Sequence, residues 1–170
     1  MDWRTIDGFL TDTEGDLLRL LSTDQIVLEI GSLFGRSTLC MAQAARHIHA
    51  IDPHRPGNCN FREHLKGRDT LAELRYNLRL FGVESKVSLH ICTVGELWTP
   101  IDPIFGLVFI DGSHKIEAVT LDLGYAAKVL RPDGVIACHD HTSGHPGVME
   151  AVKMFGRPVQ QQVGGLAVIA

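Results

Sequence analysis

The sequence has little that suits a secreted, membrane-bound or nucleic-acid-binding protein. Its four cysteines form no C-x-x-C pair, and three lie in apolar stretches, which favours reduced core thiols over disulfides. No apolar run approaches the roughly 20 residues of a membrane span, and the segment 1–13 does not read as a signal peptide. The net charge of −4 provides no general basic field for nucleic acid. We therefore expect a cytoplasmic protein, with nothing that favours a membrane or a nucleic acid as its partner.

Internal repeats and low-complexity tracts are also missing. The length of 170 residues, of which 45% are hydrophobic, predicts a single globular domain over 1–170. Short β-rich runs alternate with helix-length segments, and runs such as 107–110 lack the alternation of half-buried strands. We predict an α/β fold, doubly wound, with a seven-stranded, mostly parallel sheet, helices on both faces and one antiparallel strand from the last hairpin. The predicted helices cover 13–21, capped by Thr13, then 36–46, 69–81, 114–130 and 146–155; the predicted strands cover 25–30, 47–52, 86–91, 105–111, 135–140, 158–163 and 166–170.

The turn after the first predicted strand has features of a ligand-binding turn. Gly31 lets the chain turn sharply and approach a ligand closely, and Gly35 lets the next helix begin near that turn. The free N–H groups of Ser37 and its neighbours would face a ligand carboxylate, and Glu29 can hold an ammonium. Asp52 ends the second strand, about 20 residues further on, where an acid commonly binds ribose hydroxyls. The alternative is a tight turn and a turn acid without a ligand.

Two common nucleotide motifs do not fit this turn. The nicotinamide pattern G-x-G-x-x-G lacks its second glycine, because Leu33 stands in that place. A P-loop is excluded because no G-K-[ST] follows the glycines. A nicotinamide cofactor is therefore the weaker interpretation of this turn.

Taken together, the motifs resemble class I S-adenosylmethionine-dependent methyltransferases. The resemblance runs in order from about residue 13 to 170, and its segments are LEIGSLFGRSTLCMA, the Asp52-Pro53 step, FIDGSHKIEAVTLDL, VLRPDGVIACHD and VGGLAVI. It is greatest to small O-methyltransferases with a D-G-S-H step after strand four. It implies a Rossmann-like fold with a reversed last strand and S-adenosyl-L-methionine (SAM) as cofactor. The implied cofactor contacts are Glu29, Gly31, Ser32 and Gly35 along the methionine portion, Asp52 on the ribose, Thr93 and Val94 at the adenine, and Asp111 near the methionine portion or a metal.

The richest cluster of titratable side chains is predicted at the ends of strands four and five. Adjacent strand ends would bring together Asp111, His114, Asp140 and His141. A histidine side chain ordinarily has a pKa near neutrality, so His114 would suit the role of general base. In the similar enzymes, the histidine of D-G-S-H has that role. A divalent metal on Asp111 and Asp140 would lower the pKa of the acceptor. The alternative is that Ser113-His114 caps a helix and Asp140 makes a structural hydrogen bond.

The identity of the metal depends on its third ligand. Magnesium suits a site of carboxylates, as in similar enzymes, but a third carboxylate is not evident in this sequence. A histidine ligand, His139 or His141, would favour manganese, iron or zinc. Asp111, Asp140 and His141 are therefore the predicted ligands, and the metal is left open between magnesium, manganese and similar ions.

The irregular segment 53–68 is predicted to pass over the cofactor site, as a lid or as a plain surface loop. It contains His54, Arg55, His64 and Lys66, and its two basic residues would suit an acidic substrate. The small chain leaves no substrate-binding subdomain, so this segment or a second subunit of a homodimer would complete the pocket. The acceptor is expected to be a small molecule.

Three functions follow for comparison. The first is a SAM-dependent methyltransferase acting on a hydroxyl of a small molecule. The second is a SAM-binding module without catalysis, favoured by the small size of the chain. The third is a metal-dependent hydrolase built on the histidine–aspartate cluster.

Overall fold

The strands form one sheet whose architecture confirms the predicted fold. The computed structural model describes residues 1–55, 65, 67–97 and 104–170. The strands of this part are β1 (Ile26–Ile30), β2 (His47–Ile51), β3 (Val87–His90), β4 (Phe105–Ile110), β5 (Leu130–Cys138), β6 (Val159–Val163) and β7 (Leu166–Ile169). Their order is β3-β2-β1-β4-β5-β7-β6. Strands β1 to β5 pair in parallel, and β7 pairs antiparallel with both β5 and β6.

Helices cover both faces of this sheet because its central strands are apolar on both sides. The helices are α1 (Asp12–Leu21), α2 (Arg36–Ala42), α3 (Thr70–Leu80), α4 (Ile116–Val129) and α5 (Pro146–Phe155). Neighbouring residues of β1 enter different cores, Val27 with α1 to α3 and Leu28 with α4 and α5. Every residue of β4 is buried. This double burial explains why the runs lack a two-residue alternation.

Several element bounds differ from the sequence prediction. The N-cap of α1 is Thr11 and not Thr13, because Thr11 and Glu14 form a reciprocal capping box. Helix α2 ends at Ala42, four residues early. Strand β5 begins at Leu130, since that residue pairs with Phe105 across a register shift.

The start of the chain is fixed over α1 and α2 by buried packing and by Arg36. Trp3 is 1% exposed and lies against Gly15, where an added Cβ would approach the indole to 2.2 Å. The Arg36 guanidinium donates hydrogen bonds to the carbonyls of Arg4, Ile6 and Leu10 at 2.7–2.8 Å. This segment therefore packs on the first turn of α2. The other tryptophan, Trp98, lies outside the described residues.

The structure also bears on the cysteines and on the possibility of a membrane-spanning helix. Cys40, Cys92 and Cys138 are free thiols, and Cys59 lies outside the described residues. Within the described ranges, no helix has both the length and the apolar composition to cross a membrane.

Candidate functional site

The glycine turn lies at the carboxyl ends of β1, β2 and β4. Gly31 and Gly35 have φ values of 92° and 91°, a region that favours glycine. The Gly31 N–H donates to the carbonyl of Ile51 at 2.8 Å, and the Asp111 N–H donates to the carbonyl of Ile30 at 2.8 Å. A Cβ on Gly31 would lie 2.2 Å from the Asp111 carbonyl oxygen. The turn after β1 and the turn after β4 are therefore in direct contact, so the predicted cofactor side and acceptor side adjoin.

Asp52 fixes the conformation of this turn. Its Oδ2 accepts hydrogen bonds from the N–H groups of Ser32 (3.0 Å) and Leu33 (2.9 Å), and its Oδ1 accepts one from the N–H of His54 at 2.8 Å. Leu33, where the dinucleotide motif has a glycine, adopts a φ of 45°. The two bonds from Asp52 offset the cost of that left-handed conformation. Asp52 thus stabilises the conformation of the glycine turn through the Ser32 and Leu33 N–H groups, which the sequence pattern did not specify. Binding of a ribose by Asp52 stays a prediction.

Glu29 lies in β1, and its side chain points towards the first turn of α2. It is completely buried, and its carboxylate accepts hydrogen bonds from the hydroxyls of Ser37 and Thr38, each at 2.5 Å. Burial raises the pKa of Glu29 to about 8, although the bonds from Ser37 and Thr38 oppose the shift. Glu29 therefore connects β1 to α2 in the structure. Both carboxyl oxygens face these hydroxyls, and contact of Glu29 with a ligand ammonium, directly or through water, stays a prediction.

The segment after β3 and the start of the predicted lid contact each other. Thr93 and Glu96 form a capping box around a short 3₁₀ turn, and Val94 is buried in the core below α4. Arg55 donates to Glu96 Oε1 at 3.0 Å, and the buried His54 ring bonds the Thr70 hydroxyl at 2.8 Å. The described start of segment 53–68 is thus fixed to the sheet edge. His64 and Lys66 lie outside the described residues, and the lid and the adenine contact stay predictions.

The predicted acceptor-side residues Asp111, His114 and Asp140 come together at the ends of β4 and β5. Asp140 has the left-handed φ of 57°, an unusual conformation for a non-glycine residue. Its Oδ2 lies 2.7 Å from His114 Nε2, and its Oδ1 lies 3.5 Å from His139 Nδ1. His139 Nδ1 is also 3.2 Å from Asp111 Oδ1. Helix α4 begins at Ile116 with Lys115 at its N-cap, so His114 does not cap it.

The histidine beyond Asp140 that joins the cluster is His145, which the sequence analysis did not select. Its Nδ1 lies 3.5 Å from Asp140 Oδ1, and its ring centroid is 4.3 Å from that of His114. The turn through Thr142 folds the chain back and brings His145 to this position. The predicted ligand His141 points elsewhere, with Nδ1 at 3.1 Å from the side-chain oxygen of Gln162. His141 was predicted as a metal ligand because it follows Asp140 directly in the sequence. The turn through Thr142 instead places His145 beside the Asp140 carboxylate.

The charges of this cluster are strongly coupled. Burial alone would lower the pKa of His139, but Asp111, Asp140 and Glu14 raise it to about 12. Burial opposes ionisation of Asp140, but the bonds from His114 and His139 hold its pKa well below the ordinary value. The bond to Asp140 raises the pKa of His114, against the opposing effect of burial. The cluster thus places one buried cationic ring among carboxylates, which is the charge balance that a metal ion would also provide.

The donor atoms of the cluster fit a divalent metal. Two groups have all their donor atoms within 4.8 Å of one another: Asp111 with His139 and Asp140, and His114 with Asp140 and His145. In the described part of the chain, His139 Nδ1 is buried without a hydrogen-bond partner of good geometry, although it faces two carboxylates. A metal ion bound there would take the place of the Nδ1 proton of His139. A mixed nitrogen–oxygen set suits manganese, iron or zinc.

Comparison with known proteins identifies the family. Residues 28–141 match the family model described as a methyltransferase domain. The chain belongs to the methyltransferase domain family. The matched range begins in β1 and ends after β5. It contains the glycine turn and the cluster residues Asp111, His114, His139 and Asp140, whereas His145 lies beyond it.

Solved structures share the fold of this methyltransferase-family chain. Precorrin 8w decarboxylase from Methanobacterium thermoautotrophicum has a TM-score of 0.72 at 18% identity, over 98% of this chain and 94% of the other. The O-methyltransferase TomG from Streptomyces achromogenes, in complex with SAM, has a TM-score of 0.65 at 22% identity, over 94% and 78%. The O-methyltransferase from Bacillus cereus, in complex with SAH, has a TM-score of 0.63 at 18% identity, over 98% and 84%. At these identities the similarity shows the fold.

A second buried acid, Asp122 of α4, lies under the turn after β4. A Cβ on Gly112 would lie 3.8 Å from its Oδ2, and the residue is 7% exposed. Burial raises the pKa of Asp122 from its ordinary value of 3.8 to about 7. The folded state therefore holds this proton more tightly than the unfolded state, and the stability from Asp122 is present below pH 4 and lost as the pH rises through 7.

We expect Asp122→Asn to relieve this loss. At pH 8 the variant should be more stable than the wild type, by about 4 kcal/mol at most, and the advantage should shrink towards pH 4. Thermal unfolding of both proteins from pH 4 to 8 measures the difference. Glu117→Gln, at an exposed acid of the same helix, is the control and should show no such pH dependence. A difference for Asp122→Asn that is independent of pH would contradict the assignment.

Proposed function

We propose that the protein is a SAM-dependent methyltransferase that transfers a methyl group to a hydroxyl of a small molecule, with help from a divalent metal. The observation that carries this proposal is the His114–Asp140 pair, at 2.7 Å, beside a glycine turn in a methyltransferase-family fold. The O-methyltransferases of similar fold that hold SAM or SAH support the choice of cofactor and reaction. The D-G-S-H step, Asp111 to His114, supports a place among small O-methyltransferases.

In this mechanism the acceptor oxygen attacks the methyl carbon of SAM in line with the carbon–sulfur bond. A carbon–oxygen bond forms, the carbon–sulfur bond breaks, and its electron pair stays on sulfur to give S-adenosylhomocysteine. The positive charge of the sulfonium is thereby lost, and the acceptor must release a proton. Most of the acceleration has to come from alignment of the two reactants, which the adjoining turns after β1 and β4 would provide.

His114 is the residue that takes the acceptor proton. Asp140 Oδ2 accepts the bond from His114 Nε2, which fixes the ring and its tautomer, so that Nδ1 receives the proton as the acceptor oxygen reacts. The same bond stabilises the imidazolium that forms. Asp140 therefore acts as the positioning residue of the base.

The metal would be held by Asp111, His139 and Asp140. A divalent ion there supplies Lewis acidity, which lowers the pKa of an acceptor hydroxyl. The two oxygens of Asp140 then have separate contacts: Oδ1 faces the inner donor group and Oδ2 faces His114. His145 flanks the same carboxylate at the outer side.

The remaining features of the proposal concern setting and partners. We infer a single catalytic domain over 1–170, a cytoplasmic location, and a small-molecule acceptor bound without nucleic acid or membrane. Segment 53–68 would cover the reactants. A homodimer would complete the acceptor pocket.

Turnover tests the proposal. The protein is incubated with methyl-labelled SAM, Mg²⁺ or Mn²⁺, and a panel of phenols, catechols and sugars, and S-adenosylhomocysteine and labelled product are measured. We expect release of S-adenosylhomocysteine that depends on one class of acceptor. SAM binding without turnover on any acceptor would favour the non-catalytic binding module, and metal binding without SAM binding would favour the hydrolase.

A further inference from the structure

Glu14 is a buried carboxylate that reaches the acceptor-side cluster from the far end of the sequence. It lies in the first turn of α1 and is 3% exposed. Its Oε2 is 3.3 Å from His139 Nε2, across 125 residues of chain, and its Oε1 accepts the Gly165 N–H at 2.6 Å. Glu14 therefore joins α1, the β6–β7 turn and the cluster in one contact set.

The two nitrogens of His139 face opposite groups. Nε2 faces Glu14, whereas Nδ1 faces Asp111 and Asp140 at 3.2 and 3.5 Å. The side chains of His139 and Glu14 are only 5% and 4% exposed, so water has little access to either. In proteins, a metal-binding histidine is commonly oriented by a carboxylate that accepts a hydrogen bond from one ring nitrogen, while the other nitrogen binds the metal. Glu14 and His139 have this arrangement.

Helix capping alone does not account for a buried charge at this position. Glu14 accepts the Thr11 N–H and hydroxyl at 2.9 and 2.6 Å, as a capping box requires. Glutamine serves the same position in capping boxes, and most such side chains need no burial. A buried carboxylate is costly unless strong hydrogen-bond donors compensate it, and the His139 ring, which comes from the end of β5, contacts Glu14 Oε2 at 3.3 Å.

We propose that Glu14 is a positioning residue of the acceptor-side site, which holds His139 as a donor at Nε2 and thereby directs Nδ1 towards Asp111 and Asp140 to bind a divalent metal. This inference rests on the proposed function, because it assigns a role to the same metal group. It adds a residue outside the matched family range and makes the position of α1 part of the site.

Titration of the purified full chain with Mn²⁺, followed by calorimetry at one fixed pH, tests the inference. Glu14→Gln should weaken Mn²⁺ binding about 10- to 100-fold, the range expected when an outer partner of a metal-binding histidine is removed. Glu14→Asp keeps the charge but withdraws it by one methylene, and should fall between Glu14→Gln and wild type. Asp16→Asn is the matched control: it makes the same acid-to-amide change at an exposed residue of α1 whose carboxylate faces Arg4 and Arg19, and it should leave Mn²⁺ affinity unchanged.

Nitrogen-15 NMR of the histidine side chains gives a readout that needs neither metal nor activity. In the wild type, the Nε2 proton of His139 should be shifted downfield and protected from solvent by Glu14. This signal should move upfield in Glu14→Gln and stay in place in Asp16→Asn. A wild-type His139 Nε2 proton that exchanges rapidly with water would overturn the inference even if every Glu14 variant failed to fold.

The outcomes separate this inference from the proposed function. Equal Mn²⁺ affinity of folded Glu14→Gln and wild type overturns the role of Glu14 and leaves the metal site standing. A wild type that binds SAM but not Mn²⁺ overturns the metal site and the Glu14 inference together. A wild type that binds Mn²⁺ but not SAM overturns the proposed function, while the comparison of Glu14→Gln with Asp16→Asn still decides the role of Glu14.

Discussion

Gly31→Ala is expected to destabilise the protein by about 3 kcal/mol or more, and to lower the Tm by about 6–12 °C. The new Cβ would lie 2.2 Å from the carbonyl oxygen of Asp111, and the φ of 92° is unfavourable for alanine. Neither backbone can retreat easily. The Gly31 N–H is bonded to Ile51 and the Asp111 N–H to Ile30, so relief of the clash would break the sheet at the site. Thermal unfolding of the variant measures the effect.

Gly124→Ala is the matched control for this substitution. Gly124 lies inside α4, and nothing lies within 4 Å of the position of its added Cβ. Alanine has the higher helix propensity, so this variant should be more stable than wild type by about 1 kcal/mol. Equal effects of the two substitutions would contradict the claim that the turns after β1 and β4 are in contact.

His114→Ala is expected to lower kcat for methyl transfer by about 10²- to 10⁴-fold, the usual contribution of a general base. Asp140 holds the ring at 2.7 Å beside the turn after β4, where the acceptor is proposed to react. The SAM affinity should change little, because His114 is proposed to act on the acceptor. Initial rates with the acceptor class found by turnover, together with SAM binding, measure the two effects separately.

His141→Ala is the control that separates the base from a neighbouring histidine. The His141 ring faces Gln162 of β6 rather than the cluster. This variant should keep the wild-type kcat. An undiminished kcat in His114→Ala, or a loss in both variants alike, would remove His114 from its proposed role.

The fold could be predicted from the sequence because the patterns that indicate its strands and helices are local. Doubly buried strands such as β4 appear as continuous apolar runs, and Gly35 and Gly82 interrupt the chain between elements. The bounds were less accessible where tertiary pairing decides them. Leu130 extends β5 because it pairs with Phe105 across a register shift, and no local pattern at residues 130–134 indicates that pairing.

From the sequence, only those site residues could be predicted that stand directly at the ends of strands. The rule that ligands bind at the carboxyl ends of parallel strands selected Asp52, Asp111 and Asp140. It does not give side-chain direction, so it could not show that Glu29 turns towards α2 or that His145 replaces His141.

Contacts between distant parts of the chain were beyond a sequence reading. The capping signal of Thr11 and Glu14 is present in the sequence, but it suggests a helix start alone. The contact of Glu14 with His139 depends on how α1 packs against the β6–β7 turn. Packing of that kind is set by the whole fold and leaves no spacing pattern.

Calorimetric titration with SAM tests the central claim most directly. The wild type should bind SAM and S-adenosylhomocysteine with micromolar affinity. Asp52→Ala should lose most of that binding, because it removes both the proposed ribose contact and the bonds to the Ser32 and Leu33 N–H groups. Asp133→Ala, at an exposed acid of β5, should bind like the wild type. Absence of binding of either compound to the wild type, with and without Mn²⁺, would contradict the assignment as a SAM-dependent methyltransferase.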